Sequence, residues 1–151
     1  KFCFYKITKL CPHFKKLFTF NSKFFVFVAN HQGAYDIWSI YGFLNHNFKW
    51  LMKKELEKIF MVGWACKCAG HVFVDDSSVA GIKETIAEAE QTLKHGMSLV
   101  IFPEGSRSWD GKMIPFKRGA FMLAGEFRLP VVPVTIDGSF KAMHVPRLLS
   151  A

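Results

Sequence analysis

The sequence predicts an α/β domain with a central, largely parallel or mixed sheet flanked by helices, preceded by a short basic-aromatic helical segment. Two observations predict it. Short apolar runs rich in β-branched and aromatic residues alternate with stretches of helical periodicity along the 151 residues. In such a sheet ligands sit beyond the carboxyl ends of the strands, which selects the loops Asn30–Asp36, Asp75–Ser78 and Pro103–Ser108. The length suits one domain, and a chain that is 50% hydrophobic can bury a core.

Residues 1–22 interleave Lys1, Lys6, Lys9, Lys15 and Lys16 with Phe2, Phe4, Tyr5, Phe14, Phe18 and Phe20. Pro12 divides them into two short helical pieces. No acidic residue precedes Asp36, so the net charge of +8 is mostly an N-terminal property. Aromatic bodies and lysines suit the headgroup boundary of an anionic membrane, and this segment is expected to lie on one. A helix packed on its own domain with a solvated basic face has the same composition. No nucleic-acid-binding module is legible.

Phe24 to Ala29 reads as a buried strand ending at Asn30-His31. Residues 35–44 read as a helix, 49–52 as a short strand, and the chain to about Ala69 as helical material. His71 to Val74 is a further strand. Val79, Ile82, Ile86, Ala89 and Leu93 recur at helical spacing, with Ser77 or Ser78 as the cap and Gly96 as the stop. Ser98 to Phe102 is a strand halted by Pro103, residues 119–127 are helical, and Val131 to Ile136 is the last strand. No run of 18 apolar residues offers a spanning helix. Cys66 and Cys68 lack the spacing and partners of a zinc site, so the four cysteines read as reduced thiols and no metal is expected. That usage fits a cytoplasmic setting.

Polar residues gather in the turns that follow strands. Asn30-His31-Gln32-Gly33-Ala34-Tyr35-Asp36 holds a His and an Asp five apart, about 140° around a helix. The two can meet only if His31 lies in the turn before the helix. Asp36 could then fix the imidazole tautomer and leave the other nitrogen free to take a proton. A capping His beside a first-turn Asp is an equally good reading of this motif alone. Phe102-Pro103-Glu104-Gly105-Ser106-Arg107-Ser108 places a tight turn, a hydroxyl and a planar guanidinium after a strand, a set suited to phosphate. A surface loop with a local Glu104–Arg107 pair would look the same. Lys117 and Arg118 add two cations nearby.

Four blocks in this order resemble those of the lysophosphatidic acid acyltransferase (1-acyl-sn-glycerol-3-phosphate acyltransferase) and glycerolipid acyltransferase family. They are Asn30-His31 with Asp36, Gly70 to Asp76, Phe102 to Ser108, and Val131 to Val134. The resemblance runs from about Phe24 to Phe140. It implies transfer of a fatty acyl group from a coenzyme A or acyl-carrier-protein thioester to the free hydroxyl of 1-acylglycerol-3-phosphate. It implies that His31 is the base, that Asp36 orients it, and that no further cofactor takes part. It also implies that Glu104, Gly105 and Arg107 help hold the phosphorylated acceptor and that Lys53 matches a family lysine facing the phosphate; Asn30, Ser106 and Lys117 complete the expected substrate-binding set.

The setting it implies is the cytoplasmic face of the inner or plasma membrane, with residues 23–151 as the catalytic domain and C-terminal family elements missing. Asp76 stands where the family usually has Arg, which bears on acceptor identity; glycerol-3-phosphate or another lysolipid is the alternative. An acyl-cysteine route through Cys66 or Cys68 and a non-catalytic lipid- or carrier-binding module are the rival readings.

Overall fold

A computed structural model describes residues 24–142, so the basic-aromatic segment 1–22 lies outside the described residues. Five strands, β1 (Val26–Ala29), β2 (Phe48–Lys53), β3 (Val72–Val74), β4 (Ser98–Ile101) and β5 (Val131–Val134), form one sheet in the order β3-β2-β4-β1-β5. Every pairing is parallel. The helices are α1 (Tyr35–Phe43), α2 (Val62–Cys68), α3 (Val79–Lys94), α4 (Gly119–Glu126) and a single turn, α5 (Ser139–Ala142). The chain between 54 and 69 is not one helix. A 3₁₀ turn, Lys54–Lys58, leads through Met61, which has φ 63°, into α2. Gly63 is required there, because a Cβ would lie 1.9 Å from the carbonyl oxygen of Glu57.

The alternation of strand side chains divides the core. Phe25, Phe27 and Ala29 face Ile40 and Leu44 at α1, together with Trp50, Val100, Val132 and Val134. Val26 and Val28 point the other way, to Ala89 and Leu93 of α3 and Ala120, Leu123 and Ala124 of α4. Both faces of β1 are therefore covered, which is why its sequence is continuously apolar. Each fully buried side chain of the size of Val26, Phe27, Leu99 or Val100 contributes about 1.5–3 kcal/mol by leaving water. Pro133 is tolerated because β5 is an edge strand paired only with β1.

Helix α3 is capped as the sequence predicts. Ser78 Oγ accepts from the amide of Gly81 at 3.0 Å, and Gly96 follows the helix with φ 82°. Its buried stripe differs from the apolar spacing, however. Gly81, Thr85, Ala89 and Leu93 face inward, whereas Val79 and Ile82 are exposed. The cause is Asp75. Its side chain occupies the space over Gly81, and Thr85 Oγ1 accepts from the Asp75 amide at 3.1 Å. A polar anchor, rather than apolar content, sets the rotation of this helix.

The connections place the site. From β1 the chain passes over β4 to reach β2, and from β4 it passes over β1 to reach β5. Neighbouring strands β4 and β1 thus send their exits in opposite directions, which makes their carboxyl ends the switch point where parallel sheets form a ligand crevice.

Candidate active site

Both exits at this crevice carry the polar blocks. His31 lies in the turn before α1 and Asp36 in its first turn, so the two side chains meet: His31 Nδ1 is 2.8 Å from Asp36 Oδ2. The same oxygen accepts from the amides of Gln32 at 2.6 Å and Gly33 at 2.8 Å. The 140° separation is overcome because residues 31–33 wrap around the carboxylate.

Asp36 is fully buried. Burial pushes its carboxyl up, but hydrogen bonds from His31 and the Gly33 and Gln32 amides, with the Ser139 side chain beside it, outweigh that and hold it below the ordinary carboxylate range. An ionised carboxylate only accepts, so Nδ1 of His31 must carry the proton and Nε2 is left with its lone pair. The imidazole is 15% exposed and stacks on Phe102, ring centroids 4.0 Å apart and planes 9° from parallel. Phe102 stacks in turn on Trp50. The ring thus has a fixed tautomer, a fixed plane and one free nitrogen.

The loop after β4 is fastened to this turn. Glu104 is buried, and its carboxylate accepts from the amide of His31 at 2.7 Å and that of Ile114 at 2.8 Å. The amide of Ser108 donates to the carbonyl of His31 at 3.0 Å, and Gln32 Nε2 to that of Gly111 at 2.8 Å. The segment after β5 closes the other side. Asn30 donates through Nδ2 to the carbonyl of Ile136 and accepts through Oδ1 from its amide, at 2.8 and 2.7 Å.

All the residues anticipated as acceptor-binding lie at this carboxyl edge. Asn30 and Glu104, however, are buried and spend their side-chain atoms on backbone groups, so they brace the loops rather than face a ligand. Lys53 ends β2 and is exposed, as are Ser106, Arg107 and Lys117. Gly105 has φ 73°, and a Cβ there would lie 3.2 Å from Lys117 Cε, so Lys117 covers this turn. Lys117 Nζ is also 4.0 Å from Asp76 Oδ2. The unexpected acid in the second block is thus turned toward a lysine of the loop after β4. Among the described residues, no group of three His, Cys, Asp or Glu side chains could hold a metal ion, and no helix is long and apolar enough to cross a membrane.

Phe102, Gln32, Ile136 and Ser139 were not singled out from the sequence. Phe102 and Gln32 sit inside recognised blocks, and their adjacency to His31 was the available signal. Ile136 and Ser139 come from the far end of the chain and carried none.

A doubly wound parallel domain that holds an oriented imidazole at its switch point is, as a class, one equipped to take a proton from a nucleophile. Comparison with known proteins gives the particular case. The family model described as Acyltransferase matches residues 12–137, and the chain belongs to that family. It is 36% identical over 118 residues to the chloroplastic 1-acyl-sn-glycerol-3-phosphate acyltransferase BAT2 of Brassica napus, covering 78% of this chain and 34% of that protein. It is 33% identical over 143 residues to the 1-acyl-sn-glycerol-3-phosphate acyltransferase of Helicobacter pylori, covering 94% and 60%. Among solved structures, the 1-acyl-sn-glycerophosphate (LPA) acyltransferase PlsC from Thermotoga maritima superimposes with a TM-score of 0.64 at 36% identity, over 82% of this chain and 48% of that one. The chain therefore spans only part of the length of each of these relatives.

Proposed function

We propose that this domain transfers a fatty acyl group from a coenzyme A or acyl-carrier-protein thioester to the free hydroxyl of 1-acylglycerol-3-phosphate, with His31 as general base and Asp36 as its orienting partner. The names of the relatives support this reading, and one observation carries it: the contact between His31 Nδ1 and an ionised Asp36 leaves Nε2 able to accept. The acceptor hydroxyl attacks the thioester carbonyl while Nε2 takes its proton. Asp36 stabilises the imidazolium, which returns the proton to the departing thiolate. Arg107, Lys53 and Lys117, with the Gly105–Ser106 turn, hold the phosphate by charge and hydrogen bonds. Burial pushes the Cys66 thiol up, which disfavours an acyl-cysteine route through that residue.

The reaction takes place at an anionic membrane surface. The lysines of the first 23 residues support that, as do the exposed Trp38, Phe60 and Trp64. The contact between Asp76 and Lys117 favours a second reading, in which weaker phosphate binding admits glycerol-3-phosphate or another lysolipid.

The test is turnover by the full-length protein with each donor and a panel of acceptors. His31→Ala should lower kcat by about 10²–10⁴-fold. A variant that turns over at full rate would remove this mechanism. Labelled enzyme sensitive to hydroxylamine would replace it with the acyl-cysteine route.

A further inference from the structure

Asp36 presents two oxygens, and only one is accounted for by the turn around it. Oδ2 takes three donors, from His31, Gln32 and Gly33. Oδ1 is buried and has no hydrogen-bond partner among the described residues. A second buried polar atom in the same condition is the hydroxyl of Ser139, a residue with no solvent exposure. An unpartnered carboxylate oxygen and an unpartnered hydroxyl inside a protein each cost free energy, and together they satisfy one another.

The backbone holds them near. A Cβ on Gly33 would lie 3.0 Å from the carbonyl oxygen of Ser139, so the start of α5 is pressed against the turn that carries the dyad. The double hydrogen bond between Asn30 and Ile136 fixes that segment three residues earlier. Ser139 is also the group after His31 that holds the Asp36 carboxyl down against burial.

We propose that Ser139 is a positioning residue of the reaction, its hydroxyl donating to Oδ1 of Asp36 so that the carboxylate keeps Oδ2 aimed at His31. The proposal rests on the reading of His31 as the base. With Oδ1 held, the carboxylate cannot rotate about its Cβ–Cγ bond to offer the imidazole a different oxygen. Losing the hydroxyl leaves the Asp36 carboxylate less stabilised as the anion, so the dyad as a unit takes up a proton at higher pH. The charged or titratable groups on the elements around Asp36 are His31 in its own turn, Tyr35 and Tyr41 in α1, Glu104, Arg107, Asp110, Lys112, Lys117 and Arg118 in the loop after β4, and Asp137 and Lys141 beside Ser139. None of these is altered by the substitutions below.

The experiment is the pH profile of kcat/KM for full-length protein in lipid vesicles, with a thioester donor and 1-acylglycerol-3-phosphate. Ser139→Ala should lower kcat by about tenfold, the worth of one hydrogen bond to a charged group, and leave both KM values unchanged. Its acid limb should move to higher pH, and Ser139→Thr, which keeps the hydroxyl, should move it back. In an Asp36→Asn background the same substitution should have no further effect. A Ser139→Ala enzyme with the parental acid limb overturns the proposal, as does one that loses activity equally at every pH.

Should the alanine variant fail to fold, the unaltered protein decides by proton NMR. The proposal expects a slowly exchanging Ser139 hydroxyl proton close to the low-field Nδ1 proton of His31, and a freely exchanging hydroxyl sinks it. A fully active His31→Ala enzyme would defeat the base assignment instead, and is read separately.

Discussion

The inner and outer strands of this sheet handle charge in opposite ways. Around β1 and β4, Asp36 and Glu104 are buried and accept from backbone amides, Asp36 from His31 as well, and no ion pair joins either to a lysine or arginine among the described residues. At the β2–β3 edge, Asp75 pairs with Lys54 at 2.8 Å and Asp76 with Lys117 at 4.0 Å, all four reached by solvent. Amides cannot swing away, so the inner carboxylates fix geometry and any error there is costly. Solvated ammonium groups can be exchanged for water, so the outer pairs tune the local field at small cost. The carboxylates that hold the dyad together are thus legible by what they lack, an opposite charge.

The largest test of this contrast is Glu104→Ala. It strands two amides in the interior and should cost about 2–4 kcal/mol in urea denaturation, with activity lost because His31 is no longer anchored. A loss below about 1 kcal/mol would put Glu104 in the class of the outer carboxylates. Next is Asp36→Asn, read by acid titration of stability. The folded carboxyl lies below its unfolded value, so its contribution is present above the ordinary carboxylate range and is lost as pH falls through the lowered one. The variant should therefore lose stability near neutrality and show a flatter decline into acid than the parent.

A smaller effect is expected from Asp76→Asn. It frees Lys117 and should lower KM for a phosphate-bearing acceptor by about two- to fivefold, most clearly at low salt. No change, or a rise, would mean that this pair does not touch acceptor binding. The smallest is Lys54→Ala, which should leave the urea midpoint within experimental scatter and turnover unchanged.

Much of this was open to a reader of the residues alone. The five strands and the principal helices follow from apolar runs and their punctuation, and the meeting of His31 with Asp36 follows from placing one before a helix and the other inside it. Strand order did not follow, because periodicity says which face a residue takes and nothing about which neighbour it finds. Helix α3 shows where the pattern misleads: Val79 and Ile82 look like core, yet the Asp75 anchor turns Gly81 and Thr85 inward. Asn30 and Glu104 were identified as site residues, but their bracing role depends on amides at 31, 114 and 136. Ser139 was invisible for the same reason, since its partner lies 103 positions earlier.

That long reach has a consequence for how the molecule comes into being. During synthesis the turn bearing the imidazole emerges early, while the segment that grips it through Asn30 emerges more than a hundred residues later. A nascent chain lacking its fifth strand can own every proton-handling group and still be inert.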